Sequence, residues 1–220
     1  MSDLTPIVIV GAGGLGREVY QWAQDCIAAG AAWQIRGFVD DDSSAMEKFN
    51  YEKDDAKILG APDDYPAQAD DHLLIALGDV RQRKTMAERL KGAQFATLVH
   101  PSANVAATAR LGQGTLVCPF ALVGPDAQVG EQVVLNFYAS VAHDAQVGDF
   151  SVLCPYATVN GNAQLDSGVF VGTHATVTPG RRVGSDSKVN ANTAVMRDVD
   201  RGSYVVGVPG RALPLYSKAR

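Results

Sequence analysis

Apolar positions along the chain follow two rhythms. Up to about Thr97, short apolar runs alternate with amphipathic stretches. Ile7–Val10 is a β-branched run, the mark of a buried strand. Arg17 to Ala29 sets Val19, Trp22, Ala23 and Cys26 at helical spacing and predicts a helix. Ile35–Val39 predicts a second strand, closed by Asp40, Asp41 and Asp42, and Leu73–Gly78 a third. Arg81 to Leu90 predicts a second helix, and Phe95–Val99 a fourth strand. Ser43–Asp71 is polar and poorly periodic, so loops and one short strand near Lys57–Leu59 are expected there. Strands alternating with helices imply a small parallel, Rossmann-like α/β sheet.

From Ala103 the period becomes six. Stepping by six from Val105 to Val195 meets sixteen residues, all Val or Leu. Two residues earlier the same step meets mostly Ala, Ser and Thr, and glycine recurs just after the aliphatic position, as at Gly112, Gly124, Gly130, Gly148, Gly172 and Gly184. A six-residue period fits neither helix nor hairpin; it is the signature of a parallel β-helix. Three hexads close one triangular coil of about 18 residues. Each inward Val or Leu contributes about 1.5–3 kcal/mol before chain entropy is charged against it. The expected organisation is a Rossmann-like domain over 1–99 and an all-β coil domain with a C-terminal tail over 100–220.

Composition narrows the function. The chain has 220 residues, a net charge of −5 and 46% hydrophobic residues. That balance argues against nucleic acid and anionic membranes as partners. No apolar run reaches the ~18 residues of a membrane span, and the start lacks a signal-peptide pattern. Cys26, Cys118 and Cys154 show no metal or disulfide spacing, so reduced thiols and a cytoplasmic location are expected.

Two departures from the folding pattern carry chemistry. Gly11–Gly16, GAGGLG, follows a strand and opens a helix, a context in which backbone N–H groups receive phosphate. Asp40 ends the next strand, where an acid can meet a ribose or base. About 98 residues suit a mononucleotide-sized site better than a full dinucleotide fold, and a tight turn without ligand is the plain alternative. The second departure is Val134–Asp144, which holds Asn136, Phe137, Tyr138, His143 and Asp144. His143 lies two residues past its aliphatic anchor, at or outside a corner of the prism. Asp144 is placed to fix its tautomer or raise its basicity. Only His143 and His174 fall within the repeat, too few for a three-imidazole metal centre, so no metal is expected. His174 is ligand-facing or solvated, His100 fits a capping or hydrogen-bonding role, and His72 is expected at the surface.

The segments IVIVGAGGLGREV, FVDDD, ALGD, HPSA, VVLNFYASVAHDAQVGDF, VFVGTHATVTPG and VVGVPGRAL, in that order over nearly the whole chain, resemble the bacterial sugar O-acyltransferase (sialic acid acetyltransferase-like) family. Within it they are most similar to sugar-nucleotide N-acetyltransferases acting on 4-amino-4,6-dideoxy sugars. The resemblance implies a left-handed β-helix, acetyl-CoA as donor, and a homotrimer with active sites at subunit interfaces. It implies His143 as catalytic base with Asp144 beside it. Gly13, Gly14, Leu15, Asp40, Asp41, Gly78 and Asn136 are implied at the nucleotide-sugar side. Thr173, Ala191, Gly207, Pro209 and Arg211 are implied at the CoA side. Some relatives carry a second histidine where this chain has Val152.

The expected reaction is acetyl transfer from acetyl-CoA to the amino group of a nucleotide-linked sugar, in the synthesis of a bacterial surface glycan or glycoprotein. No Ser or Cys adjoins His143 in the chain, which favours direct transfer over an acyl-enzyme. An O-acetyltransferase acting on sialic acid or another sugar hydroxyl would use the same base, and a non-catalytic nucleotide-binding scaffold is the third reading. Arg181, Arg182, Lys188, Arg197 and Arg211 are candidates for the CoA phosphates.

Overall fold

The structure is a computed structural model that describes residues 4–47, 56–65 and 70–215. The chain divides into two compact units, Met1–Pro101 and Ser102–Arg220.

Among its described residues, the first unit is a parallel sheet with two helices. In chain order it comprises β1 (Thr5–Val10), α1 (Gly14–Ala28), β2 (Trp33–Val39), β3 (Ile58–Gly60), β4 (His72–Ile75), α2 (Val80–Arg89) and β5 (Gln94–Phe95). The sheet order is β3-β2-β1-β4-β5, and every pairing is parallel. The chain moves outward from β1 to β3 and then returns to the other side of β1. That reversal between β1 and β4 opens a crevice at their carboxyl ends. Val8, Val10, Val39, Leu73, Ile75 and Met86 form the core on one face. Ile7, Ile9 and Phe38 are fully buried as well. Strands buried on both faces read as continuous apolar runs, as Ile7–Val10 does.

Several boundaries differ from the sequence expectation. Helix α1 starts at Gly14 rather than Arg17, because the glycine turn itself winds into the first helical turn. The expected strand Phe95–Val99 is two short strands, Gln94–Phe95 and Leu98–Val99, interrupted at Ala96 and Thr97. The strand expected near Lys57–Leu59 is Ile58–Gly60. Of the polar stretch 43–71, residues 48–55 and 66–69 lie outside the described residues, as does the tail 216–220. The rest of that stretch is anchored by a buried carboxylate. Asp71, whose side chain is 0% exposed, takes the Arg36 guanidinium at 2.8 Å. It also accepts the Tyr65 hydroxyl at 2.9 Å.

The second unit is a left-handed parallel β-helix. Two-residue strands recur every six residues, and each pairs in parallel with the strand 18 positions away, as Leu122 with Ser140 and Val123 with Val141. Three sheets result, one for each side of the prism. Val and Leu of the six-residue series fill the interior from Val117 to Val195, and Val105 and Leu111 pack against this core from the first coil. The small residue two positions earlier closes a corner: Ala121, Ala127, Ala139, Ala145, Ala157 and Ala163 are all fully buried. Glycine just past the aliphatic position has a steric cause. A β-carbon on Gly172 would stand 2.6 Å from the Ala191 backbone nitrogen of the next coil.

Every corner from 114 to 192 contains one residue with positive φ, again at steps of six: Phe120, Asp126, Gln132, Tyr138 and Asp144 among them, with glycine at 114, 168 and 180. This fixes what each corner presents outward. The C-terminal strand Ser203–Val206 pairs in parallel with Lys188–Val189 and antiparallel with Arg211–Pro214.

Candidate active site

In the first unit, a cavity of about 420 Å³ lies at the carboxyl ends of β1, β2 and β4. Gly11, Asp40, Asp41 and Leu77 border it from the strand ends. Each glycine of the preceding turn has its own task. Gly11 adopts φ +101°, which other residues avoid. Gly16 abuts the Gly11 carbonyl so closely that any side chain would overlap it. Gly13 and Gly14 face open space instead, with nothing within 4 Å of an added β-carbon. Gly13 occupies the cap position of α1, no side chain caps that helix, and its first turn carries no acid. Its backbone N–H groups and the positive end of its dipole therefore suit an anion.

The two aspartates after β2 behave differently. Asp40 Oδ2 accepts the Ala12 N–H at 2.7 Å and Oδ1 accepts the Asp42 N–H at 2.9 Å. Asp40 thus ties the glycine turn to the end of β2. Asp41 is 70% exposed and its carboxylate stands 4.0 Å from Arg89 of α2. Leu15 and Gly78 meet across the crevice, with Leu15 Cδ2 3.9 Å from the β-carbon position of Gly78.

Sequence reasoning missed the cavity's far wall. Arg81, Gln82, Thr85 and Arg89 of α2 line it. Asp79 caps this helix by accepting the N–H groups of Arg81 and Gln82, both at 3.0 Å. Arg83, fully buried, donates to the Ile75 carbonyl and braces α2 against the end of β4. Arg89 forms a fork on Asp63, with Nε at 2.9 Å from one oxygen and Nη2 at 2.6 Å from the other. That guanidinium holds the Asp63 carboxyl below the usual carboxylate range. The far wall escapes the sequence because its members are an ordinary polar helix face; only the sheet order aims it at the crevice.

In the second unit, His143 stands on an outer edge of the prism with a side chain 62% exposed. Its Nδ1 lies 2.8 Å from Asp144 Oδ2. An ionised carboxylate only accepts, so the neutral ring carries its proton on Nδ1 and leaves the Nε2 lone pair available. Asp144 reaches back to the ring because its own backbone has φ 58°. One coil onward is Gly161, whose missing side chain leaves the space the ring occupies: an added β-carbon would stand 2.6 Å from Cε1 and 2.7 Å from Nε2. Gly161 was not singled out from the sequence, although its distance from His143 is one coil length.

The neighbouring edge is aromatic. Phe120, Tyr138, Tyr156 and His174 recur one coil apart and stack with centroids 4.9, 4.9 and 4.7 Å apart, within 14° of parallel. Phe137 packs edge-on against Tyr138 and Tyr156. Asn136 lies at this edge, its N–H bonded to the Leu153 carbonyl at 3.0 Å. So do Thr173 and Ala191, in consecutive coils, where the Thr173 carbonyl accepts the Asn192 N–H at 2.9 Å. The side of the prism between the two edges is lined by Leu122, Ser140, Thr158 and Thr176. The expected base and the expected donor-arm contacts therefore stand on different edges of one chain, which does not bring them together.

Gly207, Pro209 and Arg211 cover the last coil. Gly207 N–H reaches Thr193 Oγ1 at 3.2 Å, and Gly210 N–H reaches the Ala194 carbonyl at 2.7 Å. Several basic candidates are engaged: Arg182 forks on Asp166, Arg181 pairs with Asp198 at 3.5 Å, and Lys188 lies 5.1 Å above the Phe170 ring. Arg197 and Arg211 are exposed and form no ion pair among the described residues. Burial raises the Cys26 thiol to about 11 and raises that of Cys154, and Cys118 is buried too. His100 pairs with Asp25 at 3.2 Å.

Residues 6–90 match the family model described as the PglD N-terminal domain. PerB from Caulobacter crescentus, solved in complex with CoA and GDP-perosamine, is 26% identical, with a TM-score of 0.83 over 94% of this chain and 97% of that one. WeeI from Acinetobacter baumannii AYE is 25% identical, with a TM-score of 0.81 over 94% and 99%. Residues 6–90 thus resemble that domain family, and the chain as a whole shares the fold of PerB and WeeI. The acetyltransferase domain of PglB from Neisseria gonorrhoeae FA1090 has the same fold, at 24% identity and a TM-score of 0.84 over 95% of this chain and 100% of that domain. No curated protein matches the chain. No helix among the described residues is long and apolar enough to cross a membrane.

Proposed function

We propose that this protein is an acetyl-CoA-dependent nucleotide-sugar N-acetyltransferase, whose acceptor is the amino group of a nucleotide-linked 4-amino-4,6-dideoxy sugar. The observation that carries the reading is the His143–Asp144 pair, an exposed imidazole with its Nδ1 proton held by a carboxylate and its Nε2 unencumbered by one. PerB, with the same two-domain fold, was solved with both a nucleotide-linked sugar and CoA.

In this mechanism the nucleotide-sugar sits in the cavity of the first unit, with its phosphates at the uncapped start of α1. The neutral amine attacks the thioester carbonyl, and Nε2 of His143 takes the proton that the nitrogen sheds. Asp144 stabilises the imidazolium so formed. The carbon–sulfur bond then breaks, and the imidazolium returns the proton to the departing thiolate. Gly13, Gly14, Leu15, Asp41 and Gly78 serve the nucleotide, with Asp40 holding the turn. Asn136 serves the sugar. Thr173, Ala191, Gly207, Pro209 and Arg211 serve the donor, with Arg197 and Arg211 as its phosphate contacts.

The active assembly is a homotrimer in this reading. The separation of His143 from Thr173 and Ala191 on different prism edges supports it, since a second copy supplies the edge that one chain lacks. The decisive assay presents amino-sugar and hydroxyl acceptors, free and nucleotide-linked, with acetyl-CoA, and follows thiol release. Turnover confined to nucleotide-linked amines is expected. Turnover on sialic acid or another hydroxyl overturns the N-acetyl assignment, and no turnover with any acceptor overturns the enzyme.

A further inference from the structure

The cavity in the first unit is lined by α2 and reached at Gly11 by the turn that leads into α1, and the starts of these two helices differ in one respect that orients a ligand. Helix α1 begins at Gly13 with no capping side chain and no acid in its first turn. Helix α2 begins at Asp79, whose carboxylate already takes the N–H groups of Arg81 and Gln82. A phosphate is therefore favoured at α1 and opposed by the cap of α2. The α2 side is left for the uncharged end of a nucleotide.

Its composition suits that end. Val39, Leu77 and Met86 give the cavity apolar surface, while Arg81, Gln82 and Thr85 surround it with hydrogen-bonding groups. A nucleobase presents the same combination, apolar faces and a hydrogen-bonding edge. Arg89 stands between the two sides of the mouth: it is forked on Asp63, next to Pro62, and lies 4.0 Å from Asp41 at the end of β2. Planar bidentate pairing fixes direction as well as distance.

Resting on the nucleotide-sugar reading, we propose that the α2 face carrying Arg81, Gln82 and Thr85 receives the nucleoside of the substrate, and that the Arg89–Asp63 fork sets the position of the wall opposite. Arg81, Gln82 and Thr85 are then specificity residues, and Arg89 a positioning residue.

The test is calorimetric titration of the full chain with UDP, GDP and dTDP, with inorganic pyrophosphate measured by competition. The variants are Gln82→Ala, the double change Gln82→Ala with Thr85→Ala, and Arg89→Lys. All three side chains are exposed, and thermal melting confirms that each variant folds. The α2 variants are expected to lose at least tenfold in affinity for the preferred nucleotide, to discriminate less among the three, and to keep pyrophosphate affinity within twofold. Arg89→Lys keeps the charge and loses the fork, and is expected to weaken the nucleotide at least fivefold. If nucleotides bind every variant as tightly as the natural chain, the inference falls while the nucleotide reading stands. If pyrophosphate weakens in step with the nucleotide, α2 serves phosphate and the orientation is overturned. If no nucleotide binds the natural chain, both readings fall together.

Discussion

The imidazole of His143 occupies the space that a side chain on Gly161 would fill, with Cε1 2.6 Å from the position of a β-carbon there. Gly161 is not in the left-handed backbone region, so its requirement is for space alone. Gly161 is buried, but the atoms nearest an added methyl all belong to the His143 ring, a side chain that can swing outward, so Gly161→Ala is expected to cost about 1 kcal/mol, the typical effect of a single substitution. It should displace the ring and lower kcat by about tenfold or more, since misplacement of about 1 Å costs up to about 10²-fold. Unchanged kcat with an intact melting point would detach the ring's seat from catalysis.

His143→Ala is expected to lower kcat by about 10²–10⁴, the usual worth of a general base. Asp144→Asn separates charge from backbone. Asn tolerates the φ of 58° found at Asp144 about as well as Asp does, so the fold persists while the carboxylate is gone. Its kcat is expected to fall with little change in the KM of either substrate. A larger effect on KM than on kcat would make Asp144 a binding residue.

Tyr138 is stacked between Phe120 and Tyr156 and has φ 58°. Each ring pair is worth about 0.5–1.5 kcal/mol, so Tyr138→Ala should cost about 1–3 kcal/mol in denaturant unfolding. The left-handed backbone penalises a non-glycine residue by about 1–2 kcal/mol. Tyr138→Gly is therefore expected to be less destabilising than Tyr138→Ala. The reverse order would show that backbone strain at this corner is negligible.

Gly11 and Gly13 should part ways. Gly11→Ala meets both φ +101° and Leu77 Cδ2 at 3.0 Å, and a loss of about 1–3 kcal/mol is expected from the strained backbone. Gly13→Ala enters open space and should leave stability within about 0.5 kcal/mol while weakening nucleotide binding. Equal melting points for the two variants would contradict this division.

Burial, with the hydrogen bond to Asp71, pushes the Tyr65 hydroxyl from 10.0 up to about 12. A raised pKa means that the folded state favours the protonated phenol. Its contribution is whole below pH 10.0 and is lost as the pH rises toward about 12. Denaturant midpoints of the natural chain should fall across that window. Tyr65→Phe should begin lower and stay flatter there, and parallel curves would remove Tyr65 as the group responsible.

Local pattern determined much of this protein. Ile7–Val10 and the Val and Leu series from Val105 to Val195 declare their strands because each residue's burial depends on its own place in a short repeat. The exposed edge carrying His143 followed from the same counting, since two steps past an inward residue reach the outside of a corner. Segments without such a repeat were placed less well. The glycine turn hid the start of α1, and Ala96 and Thr97 split a strand expected to be continuous.

Tertiary structure alone decided which side chains face one another. Asp63 meets Arg89 and Asp71 meets Arg36 across 26 and 35 positions of sequence, partnerships set by strand order that no local pattern records. The glycine turn, the end of β2 and one face of α2 border a common cavity because the sheet reverses between β1 and β4. Gly161 lies beneath His143 because a coil closes every 18 residues, as the pairing of Ser140 with Thr158 shows. Hydrophobic period is a property of neighbours along the chain, whereas a site is assembled from residues that only the completed fold makes neighbours in space.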